Sequence, residues 1–248
     1  MSNESNQDDF LEIVGDFEDE LDLTLYADSK ELTEEVTVQI LAAIETGLKL
    51  TGRFDLVLTG GTLGTDISNA LVAEFNADYE GFAGLHIWWS DERFVPADSA
   101  DRNALPLHQN LRNQKIVVHE AMASDVAADI DEAVTDYESA LENVNIDLTI
   151  LGLGPDGHVA SLFPGIADID DRRKVFAITD SPKPPAARIS FTMGAINSAA
   201  EVWIVAAGEG KADAVTKIIE GEVSIPASYV RALTHTRLIV DTDAFFSE

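Results

Sequence analysis

A chain of 248 residues, 46% hydrophobic and 25% charged, is long enough to bury a sizeable core and has the proportions of a globular protein. It has no cysteine, which excludes disulfides and thiolate chemistry. Sixteen Lys and Arg against forty-five Asp and Glu leave a net charge of −29, a surface that repels nucleic acid and anionic membranes.

An anionic ligand could therefore bind only where the few basic side chains converge. Residues 1–20 read as an acidic, partly disordered N-terminal segment, with 1–8 disordered, and 21–248 as one α/β domain. The N-terminus has neither the basic start nor the apolar centre of a signal peptide, and no run of eighteen apolar residues exists. The expectation is a cytoplasmic protein that meets no membrane.

Along the chain, Leu21–Tyr26 reads as a strand and 29–50 as a helix with Leu32, Val36, Ile40, Ala43, Ile44 and Leu48 on one face. A strand over 54–59 breaks at Gly60-Gly61, and a helix follows over 64–75. Strands are expected at 85–90 and 115–119, then a helix over 124–142 capped by Ser124. The run 146–151, "IDLTIL", is the most strand-like in the chain; further strands fall at 174–178, 187–192, 201–206 and 237–241, with a helix over 209–220. Strands that are apolar throughout and alternate with helices imply an α/β fold with a mostly parallel sheet and helices on both faces. In such sheets ligands sit beyond the carboxyl ends of the strands.

The chemically loaded segments follow predicted strands. In "LTGGTLGTD", Gly60 and Gly61 let backbone approach a ligand, Thr62 offers a hydroxyl, and the next helix would direct its N–H groups at an anion. Neither a Walker loop nor a dinucleotide fingerprint is present, and a tight turn without a ligand is an equal reading. In "WWSDERFVP", Arg93 could clamp a phosphate or latch onto its acidic neighbours, while Trp88 and Trp89 read as packing residues. In "GLGPDGHVASLFPG", His158 lies in a glycine loop after the best strand. Imidazole titrates near neutrality and can take a proton from water. Asp156 could orient that ring or cap a short turn. His86, His108, His119 and His235 lack such a setting. In "SPKPPAARISFT", prolines stiffen the backbone that carries Lys183 and Arg188, and in "AAGEGKADAV" Lys211 opens a helix, where a cation needs an anion nearby. No metal-ligand spacing and no serine-nucleophile elbow appears.

These five segments, in this order and spacing, resemble the 6-phosphogluconolactonase family over roughly residues 21–241. "GPDGHVASLFP" is the most specific of them. The resemblance implies a modified Rossmann-like fold shared with sugar-phosphate deaminases and isomerases. It implies hydrolysis of 6-phospho-D-glucono-1,5-lactone to 6-phospho-D-gluconate, a step of the oxidative pentose phosphate pathway, with no metal or organic cofactor. His158 would be the general base, assisted by Asp156. The phosphate would be held by Gly60, Gly61, Thr62, Arg93, Lys183, Arg188 and Lys211. The partner would be a small phosphorylated sugar lactone, and the chain a monomer or weak homodimer.

One departure is visible. Members often read Asp-Ser-Asn where this chain has Asp101-Arg102-Asn103, so Arg102 is either an extra anion contact or an exposed side chain. Two rivals stand beside this reading. An amino-sugar-phosphate deaminase/isomerase would carry Phe-Asn-Glu-Pro after its histidine, where this chain reads Leu162-Phe163-Pro164 without an acid. A non-catalytic sugar-phosphate sensor would need a DNA-binding helix pair, for which the acidic N-terminal segment is unsuited.

Overall fold

The structure, a computed structural model, describes residues 21–166 and 168–246. The expectations for residues 1–20 lie outside the described residues. In chain order the elements are β1 (Leu21–Tyr26), α1 (Ser29–Thr51), β2 (Phe54–Leu58), α2 (Gly61–Ala77), β3 (Leu85–Trp89), β4 (Asp91–Arg93), α3 (Leu105–Asn110), β5 (Val117–Val118), α4 (Ile130–Ala140) and β6 (Leu148–Gly152). They continue with β7 (Val175–Ile178), β8 (Arg188–Phe191), α5 (Met193–Asn197), β9 (Glu201–Ala206), α6 (Ala212–Ile219), β10 (His235–Asp241) and α7 (Thr242–Phe245), with 3₁₀ turns at Glu209–Lys211 and Pro226–Tyr229.

Seven strands form one sheet in the order β1-β10-β9-β6-β2-β3-β5, every pair parallel. Strands buried on both faces need apolar side chains at odd and even positions alike. Thus Val202 and Ile204 of β9 enter the core on one face and Trp203 and Val205 that on the other. The second face is covered by α1 and α2 through Leu32, Val36, Ile40, Ile67 and Leu71; the first is covered partly by α4 and α6 through Ala133, Tyr137, Val215 and Ile218. Helix α1 starts where the Asp28 side chain accepts the N–H groups of Lys30 and Glu31, while Glu31 reaches back to the N–H of Ala27.

Three expectations are corrected. The helix expected over 124–142 runs only over Ile130–Ala140, because Asp129, not Ser124, caps it by accepting the Glu132 N–H at 2.9 Å. The strand expected at 115–119 shrinks to Val117–Val118 at the sheet edge. The strands at 174–178 and 187–192 leave the main sheet: β7 and β8 pair antiparallel with each other and with β4 in a three-stranded sheet. Ser90, fully buried, is the corner between the two sheets. Its N–H bonds to Leu58 O and its carbonyl accepts the Phe191 N–H. The small sheet hangs beside the carboxyl edge of the large one and brings Lys183 and Arg188 to it.

Candidate active site

Beyond the carboxyl ends of β2, β6 and β9 lies a cleft of about 600 Å³. Every residue expected to hold phosphate lines it, from Gly60, Gly61 and Thr62 through Arg93, Lys183 and Arg188 to Lys211, and so does His158. Asp156 does not line it but stands behind the histidine. Helix α2 opens directly on the cleft: Gly60 caps it without a side-chain bond, which leaves first-turn N–H groups for a ligand. The helix is longer than the one expected over 64–75, since it already starts at Gly61, and the turn before it is correspondingly tighter.

The His158 ring is fixed from two sides. Its Nδ1 lies 2.5 Å from Asp156 Oδ1, and its face packs on Phe163 with ring centroids 4.6 Å apart. A ring that donates Nδ1–H to a carboxylate keeps Nε2 as a free base, and no described residue hydrogen-bonds to Nε2. Asp156 therefore orients the ring. The loop bends back through Ala160, a non-glycine residue at φ 50°, a left-handed conformation that costs about 1 kcal/mol. Two bonds, Gly154 N–H to His158 O at 2.8 Å and Gly157 N–H to Gly154 O at 2.9 Å, tie the loop together.

Burial, first of all, pushes the His158 pKa below its usual 6.5, and the Lys183 charge adds to this, while the bond and charge of Asp156 and the charge of Asp91 oppose it. The Asp156 carboxyl is raised by burial, but His158 and Lys183 outweigh that and hold it below the usual range. At neutral pH the pair is thus an uncharged imidazole on a carboxylate.

The cations divide by how freely they can reach a ligand. Lys183 Nζ lies 3.3 Å from Asp156 Oδ1 and 3.4 Å from His158 Nδ1. Lys211 Nζ donates to Leu153 O at 2.7 Å, and burial, with Lys183 next, lowers its pKa. Arg93 donates from Nη1 to the Asp101 carbonyl at 2.7 Å. Arg188 is buried and already engaged: Nε bonds to Pro185 O, Nη2 to Lys183 O and Pro184 O, and Nη1 faces Ser161 Oγ and Asp91 Oδ2. It laces the proline loop that carries Lys183 into place.

Sequence reasoning missed Asn103 and Asp91, both of which line the cleft. Asn103 Nδ2 donates to Asp91 O at 2.8 Å, and Asp91 Oδ2 accepts from Ser161 Oγ at 2.7 Å. The signal was present in the unexplained run Asp101-Arg102-Asn103, but nothing local shows that its middle residue faces inward. Arg102 is neither exposed nor an anion contact: it is 4% exposed, lies outside the cleft and sits between Glu92 and Glu120.

A parallel sheet whose carboxyl edge gathers glycine turns, a free helix N-terminus and four basic side chains defines an α/β protein built to hold a small anion beside a histidine. Residues 27–240 match the family model described as glucosamine-6-phosphate isomerases/6-phosphogluconolactonase. A 6-phosphogluconolactonase of Mycobacterium tuberculosis is 35% identical over 239 residues, spanning 90% of this chain and 96% of its own; one of Streptomyces coelicolor is 34% identical, spanning 90% and 92%. The crystal structure of 6-phosphogluconolactonase from Thermotoga maritima superposes with a TM-score of 0.77 at 27% identity, over 90% of this chain and all of that one. A monomeric glucosamine-6-phosphate deaminase shares the fold, with a TM-score of 0.76 at 18% identity over 90% of this chain and 98% of its own. The chain belongs to the glucosamine-6-phosphate isomerase/6-phosphogluconolactonase family. Among the described residues no helix is long and apolar enough to cross a membrane.

Proposed function

We propose that this protein hydrolyses 6-phospho-D-glucono-1,5-lactone to 6-phospho-D-gluconate in the cytoplasm, as a monomer or weak homodimer. The observation that carries the reading is His158, oriented by Asp156, in a cation-lined cleft. In the reaction, His158 Nε2 takes a proton from water as its oxygen adds to the lactone carbonyl. The tetrahedral oxyanion collapses, the ring C–O bond breaks, and the proton returns to the leaving ring oxygen. The new carboxylic acid then ionises. Lys183, beside the histidine, and Lys211, in the same cleft, suit the charge that develops at the carbonyl. The α2 N-terminus and Arg93 suit the phosphate, which fixes the ring against the base.

The family's other activity needs an acid for sugar ring opening. Here the residue before Pro164 is Phe163, 1% exposed and packed on the His158 ring. That favours the lactonase reading over a deaminase, which the fold alone would allow.

The first test follows freshly generated lactone with and without protein, because the lactone also hydrolyses unaided. Marked acceleration over the blank is expected. A folded protein that binds 6-phosphogluconate without accelerating hydrolysis would make the chain a sugar-phosphate sensor instead.

The pH profile tests the dyad. The neutral imidazole is the base, so activity is present above the His158 pKa and lost below it. The acid limb of kcat/KM is expected below pH 6.5. Asp156→Asn removes what holds this pKa up, so the limb moves to lower pH while the plateau falls. Lys183→Met removes a charge that holds it down, so the limb moves to higher pH. Limbs that stay put in both variants would place the titrating group elsewhere.

A further inference from the structure

Beneath the cleft wall lies a buried pair of charges that the reaction scheme does not use. Glu92, the middle residue of β4, is 2% exposed and does not line the cleft. Its carboxylate accepts the backbone N–H of Arg93 at 2.8 Å, of Asn103 at 2.7 Å and of Ala104 at 3.0 Å. Behind it, Arg102 Nη2 lies 3.7 Å from Glu92 Oε2 and 3.6 Å from Glu120 Oε2, and donates to Ala121 O at 2.8 Å.

Two buried charges cost desolvation, and such a pair is weak evidence for stability. What this one does hold is a position. Through its N–H bonds Glu92 ties the loop 101–104 to the end of β4. That loop does two things at the anion end of the cleft. The Asp101 carbonyl fixes the Arg93 guanidinium at 2.7 Å. The Asn103 carboxamide packs against Gly60 so closely that a Cβ on Gly60 would overlap it.

We infer that Glu92 and Arg102 are positioning residues for the anion subsite: they set loop 101–104 so that Arg93 and Asn103 meet the Gly60 turn, without touching the ligand. The arrangement depends on Glu92 staying ionised. Burial drives its pKa up, and the charge of Arg102, ahead of the three N–H groups, opposes that rise. Without Arg102 the carboxyl loses the charge that opposes its protonation as well as its side-chain partner, and with them the hold on the Asn103 and Ala104 N–H groups weakens. This inference rests on the proposed function only for the identity of the phosphorylated ligand.

The test compares wild type, Arg102→Met, Arg102→Lys and Glu92→Gln, each checked by thermal melting. Calorimetry with inorganic phosphate and with 6-phosphogluconate reads the subsite, and kinetics with the lactone read KM and kcat. Arg102→Met is expected to weaken both ligands about tenfold and raise KM in proportion, with kcat within about threefold and the acid limb unmoved. Arg102→Lys, which keeps the charge, is expected to recover most of the loss. Folded Arg102→Met with wild-type anion affinity and KM would overturn the inference and leave the pair a purely structural one. A fall in kcat alone would overturn it as well. Should Arg102→Met not fold, Glu92→Gln decides the same question, since it keeps the shape and loses an acceptor. If the wild type fails to accelerate lactone hydrolysis, the functional reading falls, and the two calorimetric measurements still decide this one.

Discussion

His158→Ala is expected to lower kcat for 6-phosphogluconolactone by roughly 10²–10⁴, the usual worth of a positioned base. The loss should fall on kcat, because the cations and the α2 N-terminus proposed to hold the phosphate are untouched. The fold should survive: the ring packs on Phe163 at one edge of the loop, while the two bonds that close the loop are backbone bonds through Gly154, Gly157 and the His158 carbonyl, which alanine keeps. Melting temperature and 6-phosphogluconate affinity close to wild type, with a rate near the uncatalysed blank, are the expected pattern. A folded His158→Ala protein that hydrolyses the lactone at the wild-type rate would remove His158 from the mechanism. The residual rate is informative too. Whatever remains above the blank measures what orientation and charge stabilisation contribute without a base.

The central strands of the large sheet were legible because β2, β6 and β9 are apolar on both faces and run out into glycine, and β1 because its leucines alternate with polar residues. Leu21–Tyr26 and Glu201–Ala206 were read to the residue, and the strand before Gly60 to within one. The rule that ligands sit at the carboxyl edge then collected eight of the nine expected site residues into one cleft, with Asp156 just behind. What escaped has physical causes. Strand β4 is Asp-Glu-Arg, three charges that no hydropathy pattern reads as a strand; they are strand because β8 pairs with them and the side chains find partners inside. Ser124, a good capping residue type, suggested an earlier start to α4, but it lies in a turn, and the capping residues stand at 129–132. Arg102 and Arg188 defeat sequence reading in the same way. A buried arginine is defined by acids that come from distant segments, here Glu120 for Arg102 and Asp91 for Arg188, and only the fold puts them within reach. The same convergence bears on the charge of −29: on the proposed function, an acidic chain would hold its anion where Arg93, Lys183, Arg188 and Lys211 meet at the strand ends.

Gly154→Ala should abolish most activity without deleting any chemical group. A Cβ on Gly154 would overlap the His158 ring at Nδ1 and Cε1 and stand 2.6 Å from Asp156 Oδ1, at the very contact that orients the base. Gly154 does not have a left-handed φ, so the backbone accepts alanine. What must yield is the side-chain pair: the imidazole rotates, the bond to Asp156 breaks, and Nε2 leaves its line to the substrate. A loss of about 10² in kcat is expected, since small displacements of a catalytic group cost that much, with little change in melting temperature. Gly157→Ala in the same loop should show the opposite balance. Its φ is 78° and its Cβ would strike the Ile225 side chain. That strain and overpacking is expected to cost about 2–3 kcal/mol of stability. In the folded fraction, His158 and Asp156 keep their contact. Rates and melting curves for the two variants therefore separate a glycine required by the dyad from one required by the fold. If Gly154→Ala instead melted early and kept its specific rate, the close approach of that backbone to His158 would serve packing alone.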